Sequence, residues 1–232
     1  MQPPAQRPAP SQPALLRLCE IVVYGPGARW RDARRRVLDE VSIDVPAGSV
    51  VAVVGPPGFG GTTLLRVAAG LVVPDSGRVY ASGYDVTTDP PAERGVGLVP
   101  AGGGLLPQLT AEENIAYGLR LRDEASVLVR TRLDDTTELL ELRSSLPLRP
   151  HELSAGQRLR TALARAVVTA PRVLLVDGTA GAAPADELLP MVRRLRREDG
   201  PAVLLCTNQA EVAGAADMTV TMAGGRVQRG DR

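Results

Sequence analysis

The stretch with the plainest chemistry runs from Val50 to Leu65, VVAVVGPPGFGGTTLL. A β-branched apolar run, Val50 to Val54, gives way to glycines and prolines, then to Thr62, Thr63 and an apolar helical pattern. Buried strand, Gly-rich turn and helix N-terminus, in that order, make a phosphate cradle from backbone N–H groups. The helix end contributes unpaired donors and the positive end of its dipole. Gly55, Gly58, Gly60 and Gly61 can take the positive φ angles needed to turn several N–H groups inward. Thr62 opens the helix with a hydroxyl suited to Mg²⁺. The phosphate-loop pattern also asks for Lys after the last loop glycine, and that place holds Gly61. The chain has no lysine: all 27 of its Lys and Arg residues are Arg. Taken alone, the stretch suits a tight strand-to-helix turn as well as it suits a phosphate loop.

A second stretch, ELSAGQRLRTALARA at 152–166, has Ser154 placed to cap a helix and Gly156 placed to let backbone approach an anion closely. Pro171 and the apolar run RVLLVD at 172–177 follow it. The elements that must position both stretches are read from periodicity and turn residues. Leu16–Tyr24 and Val37–Val45 alternate as strands, joined by an Arg-rich turn containing Trp30. A turn at 46–48 leads into the Val50 strand, and the helix after the loop is expected over Leu64–Leu71. Arg78–Ser82 and Gly95–Pro100 are further strands, the latter leading into AGGG at 101–104. Thr110 and Glu113 form a capping box, and helical patterns continue from 125 to 142 without a strand signal. A helix over Ala155–Val168, a strand over Arg172–Asp177, an amphipathic helix over Ala185–Glu198 and a strand over Ala202–Thr207 follow. Met218–Met222 and Arg226–Gln228 close the chain as a hairpin.

At 232 residues, one α/β domain or a domain with a small subdomain is expected. Residues 1–14 read as a proline-rich disordered tail and 15–230 as the domain, with a helical insert at about 105–152. Hydrophobic content is 44%, and no apolar run is long enough to cross a bilayer. A net charge of +1 gives no reason to expect nucleic acid or an anionic membrane as partner. Cys19 and Cys206 sit in apolar strand-like runs and read as buried free thiols rather than a disulfide. No basic segment followed by an apolar one opens the chain, so no export signal is expected.

LSAGQ at 153–157 resembles the LSGGQ signature of ATP-binding-cassette (ABC) ATPases, and Arg160 with Ala164-Arg165-Ala166 is similar to the helix that follows it there. The order of the whole chain carries the same resemblance over residues 15–230: an aromatic after the first strand, Gly-rich loop, helical insert, LSAGQ, then an apolar strand ending in Asp. LLPQLTAEENIAYGLRLR at 105–122 also looks like the start of the family's helical subdomain, and its ENIAYGLRLR part looks more like importers than exporters. The resemblance implies a P-loop NTPase-like α/β core sheet with an N-terminal antiparallel β subdomain and an inserted helical subdomain.

It further implies a site for ATP and Mg²⁺. Tyr24 matches the aromatic that stacks on adenine. Gly55, Gly58, Gly60, Gly61, Thr62 and Thr63 match the phosphate loop, with Thr62 and Asp177 holding Mg²⁺. Ser154, Ala155, Gly156 and Gln157 match the signature that clamps a γ-phosphate across a dimer interface. The departures are as systematic as the matches. Gly61 stands for the phosphate-neutralising Lys, and Ala101 for the Gln that senses Mg²⁺ and couples to the membrane partner. Gly178 stands for the Glu that polarises water, and Asn208 for the His that bridges water and γ-phosphate. Pro184 falls at an interface Asp for which Asp186 is the near substitute. His151 reads as a surface or capping residue, and Arg66 as facing away from the loop.

The implied protein is a cytoplasmic ATP-binding subunit, held on the inner face of the membrane by a transmembrane permease. A second nucleotide-binding chain, identical or different, completes it. Loss at Gly61, Gly178 and Asn208 affects nucleotide on the same chain, whereas LSAGQ serves nucleotide on the partner. A low-activity but genuine ATPase, a non-enzymatic regulatory or scaffold protein on the same fold, and a drifting paralogue all stay open at this point.

Overall fold

The computed structural model describes residues 14–25, 36–179, 188, 190, 194 and 200–228. Residues 1–13, Trp30, Pro184, Asp186 and all but three positions of the expected Ala185–Glu198 helix lie outside them. In chain order come β1 (Ala14–Tyr24), β2 (Arg36–Pro46), β3 (Val50–Val54), α1 (Gly61–Ala68), β4 (Ser76–Ala81) and β5 (Tyr84–Asp85). Then follow β6 (Val96–Val99), α2 (Ala111–Leu121), α3 (Ser126–Leu139), α4 (Ala155–Val167), β7 (Val173–Gly178) and β8 (Ala202–Thr207). A helical turn, Ala210–Ala213, precedes β9 (Met218–Ala223) and β10 (Arg226–Val227).

The fold is the expected α/β one. An antiparallel sheet of order β2-β1-β4-β5 stands beside a six-stranded sheet of order β10-β9-β3-β8-β7-β6. In the larger sheet β9, β3, β8, β7 and β6 run parallel and β10 closes it as a hairpin partner of β9. Its central strands are continuous apolar runs because both faces are covered. Val51, Val53, Leu175, Leu204 and Cys206 face a core shared with α1 and the antiparallel sheet. Val50, Leu174, Val176, Val203 and Leu205 face the core that holds Ile115 and Leu119 of α2 and Leu163 of α4. Capping boxes start two helices: Thr110 with Glu113 at α2, and Ser154 with Gln157 at α4.

Several boundaries differ from the sequence reading. Helix α1 starts at Gly61 rather than Leu64 because Gly60, at φ 106°, already turns the chain into the helix. It stops at Ala68 rather than Leu71 because Gly70 takes φ 79°. The Leu71 N–H then bonds to Arg66 O at 2.9 Å and the Gly70 N–H to Val67 O at 3.1 Å, a Schellman stop. Arg94, buried, locks that end by donating to the carbonyls of Val67, Ala68, Thr87 and Asp89. Strand β1 reaches back to Ala14, which pairs with Pro46. Strand β5 is new: Ser82 and Gly83, both at positive φ, fold Tyr84 and Asp85 back onto β4. Both cysteines are free, but only Cys206 is buried; Cys19, in the other sheet, is half-buried. No described helix is long and apolar enough to cross a membrane.

Candidate functional site

The loop between β3 and α1 has a phosphate-cradle backbone. Gly58 and Gly60 take φ 80° and 106°. Gly60 is required by contact as well as by conformation: a Cβ there would fall 2.9 Å from both Leu38 Cδ2 and Val37 O. The loop therefore lies directly on β2. Among the described residues, the N–H groups of Gly58, Gly60, Gly61 and Thr62 have no protein acceptor. These are the orphan donors of a helix start and the turn before it, free for an anion.

Under the loop, Thr62 Oγ1 donates to Asp177 Oδ2 at 2.8 Å, joining residues 115 positions apart in sequence. Asp177, at the end of β7 and 7% exposed, also accepts from Thr179 N at 3.1 Å and Thr179 Oγ1 at 2.6 Å. The two hydroxyls lie 3.2 Å apart. A carboxylate with two hydroxyls is an all-oxygen donor set, which fits Mg²⁺ and not a soft metal. Next to it, burial and then the Asp177 charge push the Cys206 thiol well above its ordinary range. Thr179 was not anticipated; its only signal is a hydroxyl two residues beyond the strand-end Asp. Thr63, half-buried, makes no side-chain hydrogen bond among the described residues.

Tyr24 ends β1, with its N–H on Asp75 Oδ2 at 2.9 Å. The Arg36 guanidinium carbon lies 5.9 Å from the Tyr24 ring centroid. Arg36 also donates to Asp39, which accepts from Arg226 at 2.5 Å, and the Asp39 N–H bonds to Gly225 O at 2.8 Å. This chain of contacts ties the aromatic, β2 and the β9–β10 turn into one wall. The Arg36 hydrogen bond, with help from Arg226, holds the Asp39 carboxyl below its usual range against the effect of desolvation.

The positions that depart from the pattern are placed as follows. Gly61 is buried, and Gly178 is buried within β7, where a Cβ would meet Cys206 O at 3.1 Å and Leu188 Cδ1 at 3.7 Å. Ala101 is half-buried in a turn and Asn208 is exposed after β8. Gly102, Gly103 and Gly104 all have positive φ, and Arg165 of α4 donates to Gly104 O at 2.8 Å and Gly103 O at 2.9 Å. Ser154 and Ala155 are exposed at the start of α4 and Gly156 is buried there. Ser154 accepts from Gln157 N at 3.2 Å and donates its own N–H to Gln157 Oε1 at 2.8 Å. No hydrogen bond links this signature segment to residues 55–63 among the described residues. His151 and Arg66 are exposed.

A parallel sheet whose strand leads through a Gly-rich loop into a helix, with a Thr–Asp pair beneath, defines a P-loop-type nucleotide-binding cassette. A family profile described as ABC transporter matches residues 38–180. The sulfate/thiosulfate import ATP-binding protein CysA of Mycolicibacterium paratuberculosis is 39% identical over 208 residues, covering 86% of this chain and 58% of that protein. Its namesake in Synechococcus elongatus is 39% identical over 198 residues, 84% and 58% of the two. The chain thus spans less than two thirds of the length of these curated relatives. Among solved structures, the dimeric post-hydrolysis state of the ATP-binding cassette MJ0796 bound to ADP and Pi superposes with TM-score 0.80 at 25% identity, over 94% of this chain and 98% of that one. A nucleotide-free cassette from an ABC transporter matches with TM-score 0.75 at 28% identity, over 92% and 89%. The chain belongs to the ABC transporter family.

Proposed function

We propose that this chain is the ATP-binding subunit of an ABC transporter, joined to a transmembrane permease and a second nucleotide-binding chain. Its own hydrolytic site is degenerate, and its LSAGQ segment completes the partner's site. The observation that carries the nucleotide reading is the Thr62–Asp177 hydrogen bond beneath a loop of unpaired N–H groups. Thr62 and Asp177 are the residues that would hold Mg²⁺, which when bound supplies positive charge to phosphate oxygens. The loop N–H groups take the phosphates and Tyr24 takes the adenine. The same chain has no cation at Gly61, no carboxylate at Gly178 to accept a proton from water, and no imidazole at Asn208. Each absent group of this kind accounts for about 10²–10⁴ in rate. Import is the direction favoured by the relatives named for sulfate/thiosulfate import and by the ENIAYGLRLR segment; the cargo is chosen by the permease. Attachment to the inner membrane face follows from the same reading.

The exposed, capped start of α4 supports the partner role, because a helix N-terminus facing outward favours an anion held by another subunit. The test uses the co-purified complex in single-turnover measurements. Gly156→Asp leaves nucleotide binding at this chain's own loop unchanged but abolishes the complex's ATPase by size and like charge. Gly61→Asp reduces nucleotide on this chain and spares partner turnover. Unchanged turnover with Gly156→Asp contradicts the composite site and favours the scaffold reading.

A further inference from the structure

Phe59 is the only phenylalanine in the chain and sits between two glycines in the loop, yet it is 2% exposed while Pro56, Pro57 and Gly58 are exposed. Its ring lies across the inside of the loop. A Cβ on Gly55 would fall 2.6 Å from the ring's Cγ, and a Cβ on Gly61 2.5 Å from Cζ and 2.8 Å from Cε2. Cγ and Cζ are opposite ends of the ring, so the ring spans the distance between the two glycines. Cys206 Cβ, 3.0 Å from the Gly61 Cβ position, closes the far side. The ring belongs to the same buried cluster as Leu64 and Met222.

We infer that Phe59 and Gly61 are a matched pair, in which the ring occupies the space a residue-61 side chain needs and so keeps the phosphate loop without a cation. Phe59 is a positioning residue: it supports the loop from inside and leaves phosphate to backbone dipoles alone. Gly61 is then a packing requirement and not only a lost lysine. A lysine placed at 61 beside the ring is overpacked and its ammonium is turned from the loop.

The ligand half of this inference rests on the nucleotide reading above; the packing half does not. The packing test is the cycle of Gly61→Ala, Phe59→Ala and both. Gly61 does not have a positive φ and lies in the first turn of α1, where Gly→Ala normally raises stability. Here Gly61→Ala lowers the melting midpoint by on the order of 5 °C, and the same change raises it in the Phe59→Ala background. A rise in both backgrounds, or equal shifts in both, overturns the pair. The ligand test titrates MgATP into Gly61→Lys, Phe59→Ser and the double variant. Gly61→Lys alone gains no affinity, and the double variant gains about 10- to 150-fold, the scale of one charge-assisted bond. A gain of that size from Gly61→Lys alone overturns the inference. A sign reversal in melting with no MgATP binding by any variant upholds the pair and overturns the nucleotide reading.

Discussion

Replacing Thr62 by Val removes one hydroxyl with almost no change in shape, and the structure sets the size of the effect. Asp177 is 7% exposed and accepts three hydrogen bonds, one from Thr62 at 2.8 Å and two from Thr179 at 3.1 and 2.6 Å. A hydrogen bond to a charged group contributes about 1.5–3 kcal/mol net. The two remaining donors keep the carboxylate solvated from within, so the loss falls at the lower end, about 1.5 kcal/mol. For a domain of this size each kcal/mol moves the melting midpoint by about 2–4 °C, which places Thr62→Val roughly 3–6 °C below the unmodified chain. Thr62→Ser keeps the hydroxyl and stays within about 0.5 kcal/mol. Thermal unfolding without ligand measures this part. Titration with ATP, with and without Mg²⁺, measures the second: Thr62→Val removes the advantage that Mg²⁺ gives to binding, and Thr62→Ser retains it. If Thr62→Val melts with the unmodified chain and still binds ATP in a Mg²⁺-dependent way, Thr62 is not the partner of Asp177 in solution and the metal assignment fails.

The isolated chain hydrolyses ATP negligibly in a steady-state assay. Gly61→Lys, Gly178→Glu and Asn208→His together do not restore it until Phe59→Ser is added, because such groups act as a unit; turnover by the unmodified chain contradicts the degenerate site. Acid unfolding is expected to begin below about pH 4, the ordinary carboxylate range. Asp39 (through Arg36 and Arg226), Asp85 (through Thr87 and Arg78) and Glu141 (through Arg194) have folded pKa values below their unfolded ones. Their stabilisation is complete above the unfolded values and lost as pH falls through the folded ones. Melting midpoints that hold level to the bottom of the carboxylate range contradict this, and Asp39→Asn makes the acid decline shallower.

Much of the fold was legible because its causes are local. VVAVV, RVLLVD and AVLLCT are continuous apolar runs of the kind that only a doubly covered parallel sheet demands. Thr110 with Glu113 and Ser154 with Gln157 announce helix starts within four residues. The end of α1 was misplaced because Gly70 can serve a helix or stop one, and only tertiary packing on Arg94 decides. The Thr62–Asp177 bond spans 115 positions, and only family resemblance put the two residues together beforehand. Phe59 carries no local signal, because periodicity does not say which way a ring between two glycines turns. Its inward turn depends on Gly55, Gly61 and Cys206 leaving room, which no local pattern expresses.

The most direct test is a calorimetric titration of MgATP into the purified chain and into its Tyr24→Ala variant. Backbone N–H groups, Thr62, Asp177 and adenine stacking on Tyr24 predict measurable binding. It is about 10- to 150-fold weaker than in a lysine-bearing relative, and weaker again in the variant. Binding as tight as in such a relative and indifferent to Tyr24→Ala, or no binding at millimolar MgATP, contradicts the account.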